Sequence, residues 1–132
     1  MRRSFVARVL FMLIGLSFQT VCMLPANANP ASFQIKNATR ERGAWATIYR
    51  RNLKDYIVTA YCIGPGTTSN RSFRDAYKVV VEAKREKNCH GSTLGRHGAD
   101  ATNRYRNAIV TMKETNGRIQ FTNGICSVDP WC

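Results

Sequence analysis

Acidic residues are scarce in this chain, eight Asp and Glu against 20 Lys and Arg in 132 residues. That scarcity weighs against chemistry built on paired carboxylates. Glu82 and Glu86 sit four apart, but a glycosidase needs two carboxyl groups facing one sugar, and nothing in their surroundings marks a cleft. Histidine is scarcer still, with only His90 and His97. The chain has no Gly-x-Ser-x-Gly elbow and no phosphate-binding P-loop. It also lacks internal repeats and low-complexity tracts. Its longest apolar run, Val9 to Phe18, is broken by Gly15 and Ser17 and falls well short of the ~20 apolar residues a membrane span requires.

What is present begins with an export signal. Arg2, Arg3 and Arg8 precede the apolar run, and Pro25 with Ala26-Asn27-Ala28 follows it. A charged start, a short apolar stretch and a small-x-small ending together read as a secretory signal peptide over residues 1–28, with Asn29 starting the mature chain. Cys22 follows Val21, a poor residue to precede a lipidated cysteine, so it reads as an ordinary residue of the discarded leader. The Arg2-Arg3 start has a bacterial look. On that reading the two glycosylation-type triplets, Asn37-Ala38-Thr39 and Asn70-Arg71-Ser72, go unused.

Residues 29–132 form one exported domain with a modest core. Without Arg2, Arg3 and Arg8 the mature part holds 17 basic and eight acidic residues, a net charge of +9. A field of that sign attracts anionic polymers and anionic lipid. The mature part retains four cysteines, Cys62, Cys89, Cys126 and Cys132. An even count in a short exported chain reads as two disulfides. Of the three pairings we expect Cys62–Cys89 and Cys126–Cys132, each closing a segment with loop character.

The apolar pattern is that of strands. Phe33 to Lys36 alternates apolar and polar, as does Tyr77 to Lys84 apart from Val80. Ala44 to Tyr49 and Tyr56 to Ile63 are rich in aromatic and β-branched residues, and Gly64-Pro65-Gly66 stops the second of them. Ala108 to Glu114, Asn116-Gly117 and Arg118 to Thr122 read as a hairpin on a tight turn. Thr67 to Asp75 reads as a polar loop. Arg85 to Arg106 reads as a long polar connection with a short helix near Asp100 to Arg106. Six strands of this kind predict an all-β fold, a small disulfide-stabilised antiparallel β-sandwich or barrel.

Three site readings compete. Cys89-His90 with His97 supplies zinc-type ligands, but the spacing matches no zinc pattern and a disulfide removes the thiolate, so neither a metal nor another cofactor is expected. His90 and His97, with Arg96 as the phosphate-binding cation, would suit a secreted RNA-cleaving enzyme, although both histidines lie on one glycine-rich stretch. The third reading leads. Arg71, Phe73 and Arg74 form one arginine–aromatic–arginine stretch, and Arg104, Tyr105 and Arg106 form another. Cations beside aromatics suit contact with an anionic surface, while Trp45, Tyr61 and Tyr77 are expected to fill the core. The chain thus reads as a small basic binding protein, secreted or periplasmic, acting in the envelope or outside the cell on an anionic polymer, anionic lipid or protein partner, with a host-interaction role among the options.

Overall fold

The computed structural model describes residues 30–50, 56–103 and 105–124. The expected leader, the Cys126–Cys132 pair and Arg104 lie outside the described residues. Eight strands follow in order: β1 (Ala31–Asn37), β2 (Gly43–Arg50), β3 (Ile57–Ile63), β4 (Thr68–Phe73), β5 (Ala76–Lys84), β6 (Thr93–Asp100), β7 (Asn107–Thr115) and β8 (Arg118–Gly124). They make two four-stranded sheets, ordered β4-β1-β7-β8 and β3-β2-β5-β6. All neighbours run antiparallel except β1 and β7, which pair in parallel.

The alternation read from the sequence produces this core. Phe33 and Ile35 of β1 and Val110 and Met112 of β7 point inward from one sheet. Ala44, Ala46 and Ile48 of β2 and Val79 and Val81 of β5 point inward from the other, and all of them join one buried cluster. Side chains alternate between faces along a strand, so the intervening residues face outward. Trp45 and Tyr77 are only half-buried and stand outside that cluster. This corrects the expectation that they fill the core; of the three aromatics, only Tyr61 packs against it, from the sheet edge.

Two further corrections concern segments read as loops. Residues 68–73 form β4, an edge strand held by backbone pairing to β1 from Ala31↔Phe73 to Lys36↔Thr68. The expected helix near Asp100 to Arg106 is replaced by β6 and a short turn, and the strands number eight rather than six. Gly95 of β6 lies close against β8. A Cβ there would meet the Phe121 ring at 3.3 Å, so the glycine makes room for a β8 aromatic.

The two sheet edges are closed by side chains. At one seam Phe73 of β4 lies 6.5 Å, centroid to centroid, from both Phe33 and Tyr61. Arg71 sits over the Tyr61 ring at 3.9 Å. At the other, His97 of β6 stacks on Phe121 of β8 at 5.4 Å. The Asn116-Gly117 turn has the expected positive φ at both positions, 52° and 73°, the geometry that two-residue hairpins favour.

Candidate binding site

The topology sorts the loops to two ends of the molecule. One end is closed. There the loop after β5 folds back over the start of β2, where Gly43 N–H donates to Glu86 C=O. A Cβ on Gly43 would lie 2.6 Å from that oxygen and 2.7 Å from Cys89 Sγ, so only glycine admits the loop. The fold-back carries Cys89 to β3, where it forms the expected disulfide with Cys62. Beside it Asn37 is fully buried. Its Nδ2 donates to the Arg42 and Ile63 carbonyls, and its Oδ1 accepts from both the N–H and the hydroxyl of Thr39. Arg42 Nε meets Glu114 Oε2 at 3.3 Å.

The opposite end gathers the starts of β1, β3, β5 and β7 and the ends of β2, β4, β6 and β8. Ser32 N–H of β1 donates to Arg106 C=O. The Arg106 guanidinium reaches across to Ala76 C=O, at 3.4 Å, and Ala76 pairs with Arg50. Tyr105 and Arg106 of one predicted stretch therefore lie at the same end as Arg74 of the other, although about 30 residues separate them. Arg50, which lies over the Tyr56 ring at 5.1 Å, joins them. Three of the four large apolar side chains exposed among the described residues also fall at this end: Tyr56, Ile57 and Tyr105.

The candidate residues take different places in this arrangement. Arg71 and Phe73 are engaged in the Tyr61 seam, and Phe73 is half-buried rather than presented on a loop. Arg74 and Tyr105 are exposed, and Arg106 is half-buried. Burial of Tyr61 raises its hydroxyl pKa above the ordinary value, with Ser69 and Arg71 only partly opposing the shift. Despite the proximity of Ser69, that hydroxyl has no hydrogen-bond partner of good geometry among the described residues.

The histidines are not brought together. His90 lies in the loop at the closed end, past the Lys84↔Thr93 pair. His97 sits in mid-strand, four residues from Thr93, about 13 Å of extended chain. Its Nε2 is hydrogen-bonded to Asn123 Oδ1 at 2.8 Å. Arg96 lies on the opposite face of β6, across from Glu82. Among the described residues no three His, Cys, Asp or Glu side chains cluster as a metal site would require.

Sequence reading missed what lies beside Arg106. Arg50 Nε, Arg106 Nε and Asn107 Nδ2 are buried and lack hydrogen-bond partners among the described residues. All three sit at this end. The only sequence signal was the run of asparagines at 103, 107 and 123, which is not a motif.

No protein-family model and no curated protein matches the chain. Among solved structures it is similar to the NMR structure of a protein from Eubacterium rectale, at 14% identity and a TM-score of 0.45, over 80% of this chain and 98% of that one. A likeness that loose bears on neither site nor activity.

Proposed function

We propose that the protein is a small exported β-sandwich that binds an anionic partner, in the envelope or outside the cell, through the end where Arg74, Tyr105 and Arg106 meet Arg50 and Tyr56. The observation that carries this reading is that Arg74, Tyr105 and Arg106, from the two arginine–aromatic stretches, lie at one end of the fold. Folding brings cations and exposed aromatics from the end of β2, the residue before β3, the β4–β5 turn and the β6–β7 connection to one end, where a single anionic surface can meet them all. Exposed aromatics beside guanidinium groups offer flat contact area together with charge. The surrounding +9 field draws such a partner in. The Cys62–Cys89 disulfide suits an oxidising compartment, which fits removal of residues 1–28 on export.

Retention on an anionic polymer column and on vesicles rich in anionic lipid tests the reading. The protein should be retained on at least one and released as salt screens the charge. Arg74→Ala with Tyr105→Ala should weaken retention roughly fivefold, the equivalent of about 1 kcal/mol. Unchanged retention of that variant, or retention insensitive to salt, would remove this end as the binding surface. Mass analysis of the exported, non-reduced protein should show a start at Asn29 and no free thiol.

A further inference from the structure

Two concavities adjoin Asn107. One, against Asn70, Arg71 and Ser72, measures about 40 Å³, room for a water or two. The other opens between the ends of β6 and β8 and the start of β7 and measures about 310 Å³, within the range of small-molecule sites. Asn107 borders it at only 4% exposure. The hydrogen bonds around Asn107 fix which of its amide atoms is the nitrogen. Asn103 Oδ1 accepts from Asn107 N–H at 3.0 Å, which sets the orientation of Asn103. Asn103 Nδ2 must then donate to Asn107 Oδ1, at 2.7 Å. Asn107 Nδ2 is thereby left as a buried donor without a partner among the described residues. Such a donor is costly to leave unmade, and in folded proteins it calls for an acceptor.

The rest of the lining narrows what that acceptor belongs to. Asp100 supplies a carboxylate, which only accepts, and Asn123 has its Oδ1 engaged by His97, which leaves its Nδ2 to donate. Ala108 and Ile109 supply apolar contact. An anion would face the like charge of Asp100, and an ammonium would leave Asn107 Nδ2 unpaired. A hydroxyl group both donates and accepts, and a ring carrying several of them beside C–H faces satisfies every part of the lining. We infer that this cavity binds a neutral sugar ring, with Asn107 Nδ2 and Asn123 Nδ2 donating to its hydroxyl oxygens and Asp100 accepting from a hydroxyl. The inference does not depend on the anionic partner proposed above.

The test is titration of the isotope-labelled protein with glucose, galactose, mannose and N-acetylglucosamine in turn, following side-chain amide signals by NMR. At least one sugar should shift the Asn107 and Asn123 amides saturably, with a Kd on the order of 1 mM. Asn123→Ala and Asp100→Ala alter exposed side chains and should leave the fold intact while weakening binding roughly tenfold. Asn107→Leu should abolish it, but that variant touches the core, so the two surface variants decide. The inference is overturned by any of three results: no saturable shift with any of the four sugars, equal affinity in both surface variants, or a tighter saturable response to inorganic phosphate.

Discussion

The two ends of the molecule solve the same problem in opposite ways. Each must terminate eight strands and find partners for the polar groups left there. At the closed end Asn37, fully buried, makes four hydrogen bonds, and a disulfide pins the loop over Gly43. At the opposite end Arg50 Nε, Arg106 Nε and Asn107 Nδ2 stay buried without partners among the described residues, and aromatics are exposed. Buried polar groups are satisfied almost everywhere in folded proteins, and exceptions concentrate where something else binds. The contrast sets an end closed by a disulfide and a satisfied amide against the end we propose for recognition.

The sharpest way to break this comparison is at the closed end. Cys62→Ser with Cys89→Ser removes a crosslink between residues 27 apart and should lower stability by about 3.5 kcal/mol. Denaturant unfolding measures it, and retention of the folded variant on an anionic column should match wild type. Gly43→Ala forces a Cβ into the Glu86 carbonyl and the Cys89 sulfur. It should destabilise by about 3 kcal/mol and leave detectable free thiol if the loop can no longer close. A variant as stable as wild type would show that the fold-back tolerates displacement. Arg74→Ala with Tyr105→Ala should do the reverse: retention falls while stability moves by less than about 0.5 kcal/mol. Weaker folding in that variant would blur the division of labour.

The smallest effect concerns the Tyr61 seam between the edges of the two sheets. Burial holds the Tyr61 pKa above its ordinary 10.0, so the unfolded chain loses this proton first. Between the two values the unfolded state binds fewer protons, and stability falls as pH rises; below the ordinary value both states are protonated and the contribution is flat. Tyr61→Phe should therefore flatten the decline of stability above pH 10.0 and change little at neutral pH. Parallel curves for the two proteins would place the hydroxyl in contact with solvent.

Six of the eight strands were legible because their side chains alternate or cluster as buried strands do. The other two were not. β4 carries one large apolar residue, Phe73, and exists because β1 offers its backbone a partner, which no side-chain pattern announces. β6 contains Gly95 and Gly98, read as breaks in the pattern, yet Gly95 is there to admit Phe121. The Cys62–Cys89 pairing was legible from loop character alone, and so was the Asn116-Gly117 turn. The two arginine–aromatic stretches could be named from sequence. The placing of Arg74, Tyr105 and Arg106 at one end could not, because it depends on which strand ends the topology sorts to one side. The unpaired Asn107 amide is more remote still, since it follows from the orientation of one neighbouring side chain.

Asn37 also bears on how the protein can be produced. It heads a glycosylation triplet, yet in the folded chain its nitrogen is sealed between two carbonyls. Glycosylating machinery that acts on the nascent chain meets this nitrogen before it is sealed, and a glycan attached then has no room inside the fold. A eukaryotic secretory host should therefore yield two populations, one folded and bare at Asn37, the other glycosylated there and retained as misfolded. Asn37→Gln removes the acceptor but also the fitted amide, and Asn70 heads a second triplet on an exposed position, so a bacterial periplasm is the better route to homogeneous protein.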